Sequence, residues 1–178
     1  MRLLLKFIAL PLSLATFQSC INESYEPTLD VRPVFELHPG DTLPSFSIKM
    51  SNGETISTCD LKGKQTFILF FSTRCPDCRH FLPVMQQFHE SCPDAYIIAV
   101  SRDESSQSVM DYWNSNGFSI PCSPQSDQTI YRLFASTGVP RLFISDPEQT
   151  ITHAFSPENL PDCMSLIRIA TSDQESVL

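Results

Sequence analysis

A chain of 178 residues is long enough for one domain with a proper core and short for two. Its composition, 42% hydrophobic and 18% charged with 14 prolines and only 5 glycines, is that of a globular protein. Against 12 Lys and Arg stand 20 Asp and Glu, a net charge of −8, and no basic cluster appears, which argues against nucleic acid as a partner.

The chain opens with a short positive stretch, Arg2 and Lys6, followed by the apolar run Phe7 to Phe17. That run is too short for a permanent membrane helix, and residues 1–19 read as a lipoprotein-type secretory signal. It ends at Cys20, preceded by Ser19, and so resembles the lipobox of bacterial lipoproteins, in which the cysteine is lipidated. The alternative is ordinary signal cleavage nearby. Residues 20–42 carry Pro27, Pro33 and Pro39 without helical or strand periodicity and read as a tether. The domain is expected over 43–170, with a C-terminal tail at 171–178.

Phe46, Ile48 and Met50 alternate as in a half-buried strand, Asn52-Gly53 signals a hairpin turn, and "ETIST" is the returning strand. "QTFILFFST" (65–73) is a continuous apolar run, as in a central strand covered on both faces. From Pro76 the pattern becomes helical through Phe81, Met85 and Phe88. "AYIIAV" is a second buried strand, and "SSQSVMDYWNSNG" a helix stopped at Gly117 with Trp113 on its apolar stripe. "FSIPC" reads as a short strand and "QTIYRLFASTG" as a helix capped by Gly138. "RLFISD" and "TITHAF" form a hairpin, and Pro157 opens a final helix. The alternation implies an α/β fold with a mixed sheet sandwiched by helices.

Cys75 and Cys78 carry the chemistry. Cys75 falls where a strand ends and a helix begins, with Pro76 at the first helical position. Free backbone N–H groups and the helix dipole there favour thiolate over thiol. Cys78 lies one turn on, on the same face, so the two sulfurs can close a disulfide without unwinding the helix. The neighbouring charges oppose one another: Arg74 and Arg79 favour the thiolate, and Asp77 disfavours it.

A C-x-x-C at a strand–helix junction, with Pro83 inside the helix, resembles the active-site helix of thioredoxin. "TGVPRLFI" resembles the family's second landmark, a cis-proline before a strand, here Val139-Pro140. The leading hairpin, the strand and helix inserted before that proline, and the lipoprotein leader are similar to the TlpA/ResA-like branch, membrane-tethered periplasmic thiol–disulfide oxidoreductases. The resemblance implies a thioredoxin-like fold, Cys75 as nucleophile, Cys78 as resolving thiol, and Val139-Pro140 as the loop that pairs with an extended substrate segment. Arg74, Pro76, Asp77 and Pro83 support the pair. The implied partners are disulfide- or dithiol-containing proteins, with the membrane reached through the lipid anchor and the protein a monomer. The dithiol itself carries the electrons, so no cofactor and no metal are required. The family's Trp before the first cysteine is Arg74 here, and its two proton-transferring acids are replaced by Leu69 and Phe81. The departures leave the direction of electron flow and the proton path open.

Two other chemistries fit part of the pattern. Ser72, three residues before Cys75, together with Arg141 partly resembles a peroxiredoxin peroxide site. Cys75, Cys78 and His80 would serve as ligands in a copper or zinc chaperone. Cys59, Cys92, Cys122 and Cys163 read as structural, forming two disulfides in any of three connectivities or packing as small hydrophobes.

Overall fold

The computed structural model describes residues 35–172; the expected signal, Cys20 and most of the tether and tail lie outside them. The described chain runs β1 (Ser47–Lys49), β2 (Thr55–Ser57), β3 (Thr66–Phe71), α1 (Pro76–Ser91), β4 (Tyr96–Ser101), α2 (Ser106–Asn116), β5 (Cys122–Ser123), β6 (Arg141–Ser145), β7 (Ile151–Phe155) and α3 (Cys163–Ser172). β1 and β2 make an antiparallel hairpin, and the other strands form one mixed sheet in the order β5-β4-β3-β6-β7. β3 is parallel to β4 and antiparallel to β6. Every residue of β3 is buried, as its unbroken apolar run requires of a central strand.

Alternation along β3 divides the core between two layers. On one face Phe67 meets Phe88 of α1 at 4.9 Å between ring centroids, and Phe71 meets Trp113 of α2 at 4.8 Å. α3 packs against α1. On the other face Phe70 contacts Tyr131 at 5.5 Å and Phe134 at 4.8 Å, with Phe46 beside Phe134. Tyr131 belongs to a 3-10 turn, Tyr131–Leu133, on this second face.

The inserted elements are therefore shorter than their sequence suggests. β5 has two residues, and the helix expected across "QTIYRLFASTG" is reduced to that single turn. From Phe134 on the backbone pairs elsewhere: Leu37 N–H donates to Phe134 O (2.8 Å) and Ser136 N–H to Phe35 O (2.9 Å). An extended neighbour takes the groups a longer helix would have used internally. The final helix begins at Cys163, not near Pro157, because Asp162 supplies the cap: its carboxylate accepts from Ser165 N–H at 2.7 Å. Residues 156–159 form a turn of their own, closed by Asn159 N–H to Ser156 O.

The end of the expected tether also belongs to the folded body. Glu36 bridges Ala135 and Thr42 bridges Thr150, while Leu37 and Leu43 enter the core. Gly40, at φ +100°, makes the intervening turn and donates to Ile151 O at 2.8 Å. This strap carries too few apolar residues to show periodicity, and its partners lie about a hundred positions away in sequence.

Candidate active site

β3 delivers the chain to a tight turn, Ser72-Thr73-Arg74, before Cys75. Ser72 and Thr73 are both buried. Cys75 N–H donates to Ser72 O (3.1 Å), and Arg74 N–H to Ser72 Oγ (3.2 Å). Cys75 caps α1 in an extended conformation (φ −84°, ψ 124°) and Pro76 takes the first turn, as a proline without an N–H can. The helix continues through Pro83, which leaves Arg79 O without its usual donor.

Cys75 is half-buried and Cys78 fully buried, both as free thiols. The Cys75 thiol donates to Val139 O at 3.3 Å. Cys78 Sγ accepts from Ser72 N–H at 3.4 Å. Burial is the main force holding the Cys78 thiol far above the ordinary thiol range. The Ser72 N–H opposes it in part, and the Cys75 sulfur and Asp77 reinforce it. The outer sulfur is thus reachable and the inner one stays protonated at neutral pH.

The Val139–Pro140 peptide bond is cis, and the loop that carries it lies against Cys75. Of the two arginines expected to act on the sulfur, Arg74 is tied to the loop between β4 and α2 and Arg79 to the turn. Arg74 Nη2 donates to Asp103 O (2.9 Å) and its Nε pairs with Glu104 (3.4 Å); Arg79 Nε donates to Thr73 O (2.6 Å). Asp77 is exposed.

Glu104 was not apparent from the sequence. It is a buried carboxylate in the loop between β4 and α2 that accepts from Thr73 N–H (2.8 Å) and Thr73 Oγ1 (2.7 Å). Leu69 and Phe81, at the positions where the family carries acids, are buried in the apolar core, so the acid beside this motif comes from another strand's end. An acid two residues before a helix ordinarily reads as a solvated charge near the helix N-terminus. Only the approach of Thr73 makes Glu104 an internal anchor.

The alternative chemistries are poorly served. Arg141, which a peroxide site would need, pairs with Glu36 and donates to Thr137 O. His80 is exposed while Cys78 is buried, and among the described residues no group of three or more His, Cys, Asp or Glu is arranged to hold a metal ion. Cys59, Cys92, Cys122 and Cys163 are free thiols in this structure; Cys122 packs its sulfur 3.9 Å from that of Met110, as a small hydrophobe would.

The comparisons agree with this geometry. The chain is 29% identical over 135 residues to the thiol-disulfide oxidoreductase ResA of Bacillus subtilis (strain 168), covering 72% of this chain and 75% of that protein. It superposes on a thioredoxin-family thiol:disulfide interchange protein from Chlorobium tepidum TLS with a TM-score of 0.65 at 24% identity, covering 78% of this chain and 98% of that one. It also superposes on the pneumococcal exposed lipoprotein thioredoxin of Streptococcus pneumoniae strain TIGR4 (TM-score 0.62, 15% identity, 72% of this chain and 99% of that one covered). Both likenesses establish the thioredoxin-like fold. With the AhpC/TSA family model matching residues 39–154, the chain belongs to the AhpC/TSA family and is a thioredoxin-like thiol–disulfide oxidoreductase.

Proposed function

We propose that this protein exchanges disulfides with extracytoplasmic protein partners through Cys75 and Cys78, with Val139-Pro140 presenting the substrate. The observation that carries the reading is the pairing of a half-buried Cys75, its sulfur 3.3 Å from Val139 O, with a fully buried Cys78 behind it. The Cys75 thiolate attacks one sulfur of a partner disulfide. That S–S bond breaks, the Cys75–partner bond forms, and the departing partner sulfur takes a proton. Cys78 then loses its proton and attacks Cys75, forming the Cys75–Cys78 disulfide and releasing the partner as a dithiol. Two electrons pass to the partner; run backwards, the same steps oxidise it. Substrate backbone pairing at Val139 is a short β-augmentation that aligns the attacked sulfur.

Residues 1–19 act as the export signal, Cys20 as the lipidated residue, and the chain beyond it as the tether. The leader's pattern supports this, and the similar pneumococcal protein is itself an exposed lipoprotein. Cys20→Ser should abolish labelling by palmitate and release the protein from membranes; retention of label would refute the anchor.

The test of the reaction is insulin reduction by the wild type, Cys75→Ser and Cys78→Ser. Cys75→Ser should fall to background, and Cys78→Ser should accumulate mixed disulfides. Wild-type turnover by Cys75→Ser would refute the assignment. A titration in glutathione buffers then sets direction: a potential of about −270 mV makes the pair a reductant, and one of about −120 mV an oxidant.

A further inference from the structure

Three consecutive carbonyls of the substrate loop each meet a different side chain. Thr137 O accepts from Arg141 Nε (3.2 Å) and Nη2 (3.0 Å). Gly138 O accepts from Tyr131 Oη (2.5 Å), and Val139 O from the Cys75 thiol (3.3 Å). Arg141 is the first residue of β6, yet it is buried, and its guanidinium lies beneath Gly138: a Cβ there would stand 3.5 Å from Nη2. A guanidinium so enclosed needs a counter-charge. Glu36 of the strap provides it by pairing with Arg141 Nη1. The strap is itself fixed to the chain entering the loop, by Phe35 N–H to Ser136 Oγ (3.0 Å) and Leu37 N–H to Phe134 O (2.8 Å).

We propose that Arg141 and Glu36 are positioning residues for disulfide exchange: the strap's carboxylate orients the guanidinium, and the guanidinium holds the Thr137–Val139 backbone at the register an incoming peptide must meet. This rests on the reading of Val139-Pro140 as the substrate loop. The pair touches neither sulfur. Its effect falls on substrates with a peptide backbone to align, and much less on a small disulfide that meets Cys75 alone. Arg suits the task because its planar fork donates from Nε and Nη2 to one carbonyl while a third nitrogen holds the acid; a Lys keeps the charge without that geometry.

The test uses the full-length protein and two substrates, insulin and hydroxyethyl disulfide. Arg141→Met and Glu36→Gln should each depress the insulin rate at least about tenfold more than the hydroxyethyl disulfide rate, the scale expected of small misplacements at a reacting group. Arg141→Lys should recover part of the difference. Equal losses on both substrates that follow the drop in Tm would mean a purely structural role and overturn the proposal. Pro140→Ala separates the two levels. If it lowers the insulin rate selectively while the Arg141 and Glu36 variants do not, the positioning proposal falls and the loop reading stands. If Pro140→Ala reduces insulin at the wild-type rate, the loop reading fails and the proposal with it.

Discussion

The site has two halves built by different means. The cysteine half stands on contiguous chain: β3, a three-residue turn and the start of α1 bring Cys75 and Cys78 together within thirteen residues, Thr66 to Cys78, and the helix geometry sets their separation. The loop half is held from afar. Its carbonyls are fixed by Tyr131 and Arg141, and Arg141 by Glu36, about a hundred residues earlier. Reactivity is thereby written locally, while the surface that would meet the substrate depends on remote contacts. The two can vary separately.

Glu104 is where the contrast is sharpest, because it supports the local half from outside that contiguous stretch, through Thr73. Glu104→Ala would strand the buried N–H and hydroxyl of Thr73, two unmet donors, at a cost of about 2–3 kcal/mol in urea unfolding, and should slow exchange on large and small disulfides alike. A change below about 0.5 kcal/mol would show that Thr73 finds water instead. Tyr131→Phe, in the loop half, removes one hydrogen bond to Gly138 O and should cost about 1 kcal/mol. An unaltered stability for that variant would leave Arg141 as the loop's main support.

A pH experiment probes the inner sulfur directly. The unfolded chain ionises Cys78 at about pH 8.5, whereas burial keeps the folded thiol protonated well above that. Between those values the unfolded state has released a proton that the folded state retains, so folding stability of the dithiol protein falls as pH rises. The disulfide form has no Cys78 thiol to titrate. The Tm of the reduced protein should therefore drop more steeply than that of the oxidised protein above about pH 8.5; parallel slopes would contradict the burial of Cys78. The smallest effect is expected at Cys59, which is exposed: Cys59→Ser should leave the exchange rate unchanged and shift stability by no more than about 0.5 kcal/mol.

Much of this was legible in the residues. The unbroken apolar run 66–71 announced a central strand, Pro76 marked the helix start at Cys75, and Gly117 stopped α2 in the left-handed conformation (φ +67°). In each case the signal and the structure it produces lie within one turn or one strand. The helix expected before the loop failed for the opposite reason. Tyr131, Phe134 and Ala135 are all buried, a pattern that fits a helix, but the strap claims the backbone that follows.

What the sequence determined by itself is the dithiol and its frame: period, capping and the C-x-x-C spacing are local, and local geometry fixes which groups meet. What only the tertiary structure decided is which polar groups are buried together. Glu36 and Glu104 look like any of the chain's 20 acids until folding brings Arg141 and Thr73 against them. The reason is that a charge is a surface group by default, and becomes an internal support only where distant chain both excludes water and supplies its partner.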